Sequence, residues 1–348
     1  MSQQVGKGSI FVSGTDGDKG VAIVQQLLQL PEQYKHLTRQ DVFAGLPDDT
    51  TPRAKSLQGL GAQVVAFDIF HDHQAAVKAL TGMTKLCLLI DPLSERLQRS
   101  NAYHYGKAFI DAAKEAHVEH VIFLTPFTPS DTCLIKAQEQ NASEVMPFDS
   151  YRSQFVLIES YLHAQFDNSQ ITILRYPGVL HQHLLVFGKY IAQHNAFPLP
   201  DQHLEITVES CNMIDIARAV ACVAHSPTLR HSKNAYKISS GLLTLEEVSQ
   251  RVLQGLSREN AINRIDVTAL QQILSEGIGN EDHALFLMEM WGLVQQKLGN
   301  RRLEITRDLE ALTGQSGKTL NEYLLEAEVR DAFLSHSNDV LPSSSKVA

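Results

Sequence analysis

Between a short apolar run and an amphipathic one, residues 8–20 spell Gly-Ser-Ile-Phe-Val-Ser-Gly-Thr-Asp-Gly-Asp-Lys-Gly, with glycines at 14, 17 and 20. Ser9–Ser13 has strand character. Residues 19–30 carry Val21, Ile23, Val24, Leu27, Leu28 and Leu30 at helical spacing. Strand, glycine turn and helix together bring backbone N–H groups and a helix N-terminus up to a pyrophosphate. Glycine triplets occur in many surface turns; the place of this one, at a strand-to-helix junction near the N-terminus, gives it meaning. Gly14, Thr15, Asp16, Gly17, Asp18, Lys19 and Gly20 are the expected dinucleotide contacts.

Strand-like and helix-like segments alternate through the first half. Strands are expected at Asp41–Leu46, Gln63–Phe67, Lys85–Ile90, His120–Leu124 and Gln170–Leu174. Helices are expected at Arg53–Leu60, His73–Leu80, 98–116 and Tyr151–Ala164. Leu86–Ile90 and Val121–Leu124 are apolar on both faces, as strands covered by helices on either side must be. The fold class is therefore α/β: a doubly wound parallel sheet of Rossmann type, with a smaller, mostly helical substrate-side domain.

Residues 1–177 form the expected nucleotide domain, with some later segments returning to its sheet, and 178–335 the second domain. Within the latter, 178–210 is expected to be helix plus loop, broken at Pro198 and Pro200. Cys211–Ala224 is expected to be helical and Ala235–Ile238 a short strand. Thr244 and Glu247 form a capping box for a helix over Thr244–Gln254, and 267–335 is mostly helical. Met288, Met290 and Trp291 have core spacing, and Ser-rich residues 336–348 suggest a disordered tail.

A formal net charge of −9, with no basic run longer than Arg301-Arg302, argues against direct contact with nucleic acid. No apolar stretch reaches the ~18–20 residues of a membrane span. The N-terminus lacks a signal core, and Cys87, Cys133, Cys211 and Cys222 lack metal spacing. A cytoplasmic setting with Cys87 as a reduced, buried thiol is expected. The pairs His71/His73 and His181/His183 lack obvious further ligands, so no metal is expected and these histidines belong to surface or loops.

The chain resembles the NmrA-like group of atypical short-chain dehydrogenase/reductase proteins. Besides the glycine loop, the likeness rests on Asp68-Ile-Phe-His-Asp72 with the helix ending at Gly82, and on Ile122-Phe-Leu-Thr125 and Ile173-Leu-Arg-Tyr-Pro177. It continues through Asp215-Ile-Ala217, Tyr236 to Glu247, and Ile305 to Leu320, so that it covers about residues 8 to 335. The resemblance, with the placing of ligands at strand carboxyl ends, adds Asp68, Ile69, Asp91, Pro92, Thr125, Pro126 and Phe127 as cofactor contacts. It puts Tyr176, His181, Gln182 and His183 on the substrate side.

Two positions depart from the wider superfamily. Catalytic members pair a Tyr with a Lys four residues on, which lowers the phenol pKa and holds the nicotinamide ribose. Here Tyr151 keeps the first place and Phe155 takes the second, so Tyr151 is a weak candidate acid–base. Where NADP-preferring members carry Arg after the second strand, this chain has Leu46-Pro47-Asp48-Asp49. An acidic residue there favours NAD, whereas Arg53 and Lys55 lie within reach of a 2′-phosphate, and family habit leans to NADP.

The resemblance implies a reductase passing hydride from NAD(P)H to a small apolar acceptor, a quinone or enone, without the Tyr/Lys pair. The alternatives are a non-catalytic redox sensor that binds NAD(P) and a regulatory protein, and a non-redox biosynthetic enzyme using the same pocket. No membrane partner is expected.

Overall fold

A computed structural model describes residues 8–29, 40–127, 150–232, 234–259, 261–293 and 303–334. Leu30, Pro129, Cys133 and the expected tail at 336–348 lie outside them. Contacts divide the chain into two units: Met1–Arg175 with Ile216–Lys237 and Ala311–Gly314, and the remainder.

The first unit alternates β1 (Ser9–Val12), α1 (Asp18–Gln29), β2 (Val42–Leu46), α2 (Pro52–Leu60), β3 (Gln63–Ala66), α3 (His73–Leu80), β4 (Met83–Leu89), α4 (Ala102–Glu115), β5 (His120–Thr125), α5 (Tyr151–Gln165) and β6 (Ile171–Arg175). A seventh strand, Ala235–Lys237, joins the sheet beside β6. The order is 235–237, β6, β5, β4, β1, β2, β3, with every neighbouring pair parallel.

Strand order reverses between β1 and β4, and such sheets take ligands at the carboxyl ends of the strands flanking that switch point. Leu86, Leu88 and Leu89 on β4, and Val121 to Leu124 on β5, have no exposure, which explains their unbroken apolar sequence. Cys87 is a free buried thiol, pushed up to about 12 by desolvation.

Helix α4 starts at Ala102 rather than 98, because turns at Ser94–Leu97 and Gln98–Asn101 occupy the preceding residues.

In the second unit, residues 178–210 depart from the helix-plus-loop expectation. Val179–Leu180 and Thr207–Cys211 are strands of a three-stranded sheet with Gly241–Thr244. Phe197–Pro200 pairs in parallel with Ile262–Ile265. In this two-stranded ribbon every strand is an edge, so the missing N–H groups of Pro198 and Pro200 are tolerated.

Phe187 packs on Phe197 and Trp291, at 4.5 and 5.6 Å between ring centres. Met288 and Trp291 are buried with them, as their spacing suggested. The capping box forms: Thr244 accepts from Glu247 N–H, and Glu247 accepts from Thr244 N–H.

Candidate functional site

The loop between β1 and α1 is built on main chain and braced by β4. Ser13 donates its hydroxyl to the Leu89 carbonyl at 2.8 Å and accepts from Leu89 N–H at 2.9 Å, tying the two switch-point strands at their carboxyl ends. Gly14 has φ +63°, open to glycine at little cost. A Cβ on Gly20 would lie 2.3 Å from the Gly14 carbonyl oxygen and 2.6 Å from Thr15 Cα, so the loop closes directly on α1. The Thr15 hydroxyl donates to the Gly45 carbonyl at 2.8 Å, pinning the loop to β2. The first N–H groups of any helix lack intrahelical partners, which makes the start of α1 an anion-binding end.

Gly17 serves a purpose that its spacing did not reveal. A Cβ there would sit 2.3 Å from Asp91 Oδ2, so the bare Cα makes room for a carboxylate from the loop after β4. Asp91 in turn pairs with Lys19 at 2.7 Å, both side chains at most 5% exposed. Burial lifts the Asp16 carboxyl above its usual range, and it accepts from the Ser94 hydroxyl. Asp18, the first residue of α1, is also raised by burial and pairs with Arg53 at 2.8 Å. A glycine turn that opens a helix is the kind of main chain that accepts a pyrophosphate, while Asp16, Asp18 and Asp91 put three carboxylates on or beside it.

Asp68, just past β3, is spent on its surroundings. It accepts from Phe70 N–H at 3.0 Å, lies 3.0 Å from His71 Nδ1, and pairs with Arg96 at 3.2 Å. Burial works upward on this carboxyl, but those partners hold it below the usual range. Ile69 and Pro92 are buried. Thr125 closes β5 with a hydroxyl exchanged with the Phe127 main chain, both contacts at 3.3 Å, and Pro126 and Phe127 are buried in the turn.

Tyr151 opens α5 with no exposed surface. Phe155 stacks on Phe123 at 6.3 Å and meets Phe127 edge-on at 5.6 Å, so the position that carries Lys elsewhere belongs to an aromatic cluster.

In the second unit, Gln182 is committed to structure. Its amide nitrogen donates to Asn212 Oδ1 at 3.3 Å and its oxygen accepts from Met213 N–H at 3.0 Å, capping the helix Met213–His225. His181 and His183 are buried rather than on the surface, a correction to the expectation. The chain enters a 3-10 turn at His181, whose ring lies 5.5 Å from that of Tyr323. Desolvation pushes His181 down to about 3. Tyr176 is buried, whereas His71 and His73 are exposed as expected. Among the described residues no group of three His, Cys, Asp or Glu has metal-binding geometry, and no helix is long and apolar enough to cross a membrane.

Tyr105, Ser94 and Arg96 were missed from sequence. The Tyr105 phenol, on α4, accepts from Gly14 N–H at 3.2 Å, and its ring packs on Phe70 and Phe109. Ser94 and Arg96 hold Asp16 and Asp68. Their only sequence signal was their place just after β4, at the switch point.

The family model for the NmrA-like family matches residues 6–324. No curated protein matches the sequence. Citrobacter sp. triphenylmethane reductase complexed with NADP(H) is similar at 16% identity, with 91% of this chain and 98% of that chain covered and a TM-score of 0.66. The Escherichia coli NADPH-dependent quinone oxidoreductase complexed with NADPH is similar at 17% identity, 90% and 98% coverage and a TM-score of 0.63. NmrA, a negative transcriptional regulator in complex with NAD, gives 13% identity, 92% and 95% coverage and a TM-score of 0.64. At these identities the likeness is one of fold.

Proposed function

The chain belongs to the NmrA-like family, and from that premise we propose that it binds NAD(P)(H) at the β1–α1 loop and passes hydride to a small apolar acceptor of quinone or enone type. The observation that carries this reading is the direct closure of the loop on α1 at Gly14 and Gly20, at the switch point of a parallel sheet. The triphenylmethane reductase and quinone oxidoreductase among the structural neighbours support it.

When bound, the nicotinamide supplies the hydride. The chain's own residues bind and orient. The main chain of residues 14–20 takes the phosphates at the start of α1, with Tyr105 and Ser13 holding the loop in place. Hydride transfer asks the protein mainly for proximity and a dry pocket. We assign no acid–base role to Tyr151: it is fully buried and Phe155 offers no ammonium to activate it, so solvent or a histidine would deliver the proton.

The test is oxidation of NADPH and NADH, followed by loss of reduced-nicotinamide absorbance, against a panel of quinones and enones. Turnover with one of them is the expected result. Nucleotide binding without any turnover contradicts the reductase and is what a redox-sensing regulator predicts. That second reading draws support from the aromatic packing of Phe155 and from the resemblance to NmrA.

A further inference from the structure

Arg53 and Lys19 are both cations paired across the nucleotide loop, but their settings differ. Lys19 is locked to Asp91 out of water. Arg53 and Asp18 keep 27% and 24% of their side-chain surface exposed, so solvent and solutes reach this pair as they do not reach the other. Arg53 lies in the first turn of α2, which Thr51 caps by accepting from Ala54 N–H. That turn follows the carboxyl end of β2, where this class of sheet places the adenosine ribose. Asp48, an acid that would suit a free 2′-hydroxyl, is turned into its own loop, accepting from Thr50 N–H at 2.8 Å and from the Thr50 hydroxyl at 2.7 Å. Asp18 already occupies the anion-favouring start of α1.

We propose that Asp18 is a built-in competitor of the ligand's 2′-phosphate for Arg53. A dinucleotide carrying that phosphomonoester takes Arg53 over from Asp18, whereas one with a bare 2′-hydroxyl leaves the pair closed. A planar guanidinium forks onto phosphate as readily as onto carboxylate, so the exchange keeps Arg53 satisfied in both states. Arg53 thus reads the 2′-phosphate from the first turn of α2, and Asp18 moderates the preference for NADP(H) that it confers. The inference rests on the dinucleotide reading above.

The experiment is calorimetric titration of NADP+, NAD+ and adenosine 2′-monophosphate into the unchanged protein, Arg53→Gln and Asp18→Asn, with thermal melts to confirm folding. The unchanged protein should favour NADP+ over NAD+ by about tenfold or more. Arg53→Gln should bring that ratio close to one while NAD+ binding stays within about twofold, and it should weaken adenosine 2′-monophosphate. Asp18→Asn should tighten NADP+ several-fold more than NAD+. A ratio indifferent to Arg53→Gln, or an Asp18→Asn that tightens both coenzymes equally, overturns this inference alone. Absence of binding by all three proteins overturns the dinucleotide reading, and the inference with it.

Discussion

The two ends of β4 handle buried charge in opposite ways. Past its carboxyl end, acids meet cations: Asp91 with Lys19, and beside them Asp18 with Arg53 and Asp68 with Arg96, over a graded range of exposure. Near its amino end, Lys85 is nearly buried and is held by dipoles. Its ammonium donates to the carbonyls of Ala224, at 2.8 Å, and Ser226, where the helix Met213–His225 ends.

Neutral imidazoles share that region. His120 Nε2 is 2.9 Å from Thr172 Oγ1; since that hydroxyl donates to the His231 carbonyl, the imidazole must be the donor. His225 donates to the Leu27 carbonyl at 2.9 Å. Ion pairs at several depths make the end at which the proposed anion would exchange partners. A cation clasped by carbonyls makes an end whose only variable is the proton.

Breaking the deepest pair should cost most. Lys19→Met leaves the Asp91 carboxylate buried without its cation and should lower unfolding free energy by about 3–5 kcal/mol in urea titrations. Next comes Lys85→Met, which strands two buried carbonyls and should cost about 2–4 kcal/mol. It should leave nucleotide affinity unchanged; a change in affinity would mean that the two ends of β4 are coupled.

Acid sharpens the contrast further. Burial pushes His120 down to about 3 and His225 and His231 to about 4. Once unfolded, these rings protonate near about 6.5. The unfolded state therefore takes up more protons as pH falls from about 6.5 to about 4, and stability drops through that window. His225→Gln keeps a donor for Leu27 and should flatten the slope by up to about 1.4 kcal/mol per pH unit, read from urea midpoints across the window. Burial also lowers Lys85 to about 8, so its contribution should make stability rise from about pH 8 to about 10.5. The smallest effect belongs to Arg53→Gln, whose pair, with side chains 27% and 24% exposed, should cost about 1 kcal/mol of stability, whatever it does to coenzyme choice.

The parallel sheet was legible because its strands are buried on both faces and punctuated by turn residues, as at Leu86–Ile90 and the glycine loop. The small strands around Phe197 and Thr207 were not: Pro198 and Pro200 signal a break unless the strand is known to be an edge. At the site, the glycines were visible as spacing, but the reason for Gly17 was not. The carboxylate it accommodates comes from Asp91, far along the chain, and only the fold brings the two together. Tyr105 was hidden in the same way, as one more aromatic residue on an amphipathic helix. The histidines at 120, 225 and 231 are scattered in sequence and look like surface residues until β5 and the returning segment 216–237 bury them.

One titration bears most directly on the whole account: NADPH, NADP+, NADH and NAD+ injected into the purified chain and into Gly20→Val. The unchanged protein should bind at least one coenzyme with a dissociation constant on the order of micromolar, and Gly20→Val, whose side chain would meet the Gly14 carbonyl and Thr15 Cα, should bind none. Heat from no coenzyme, or equal binding by the valine variant, would contradict a phosphate seat at the junction of β1 and α1.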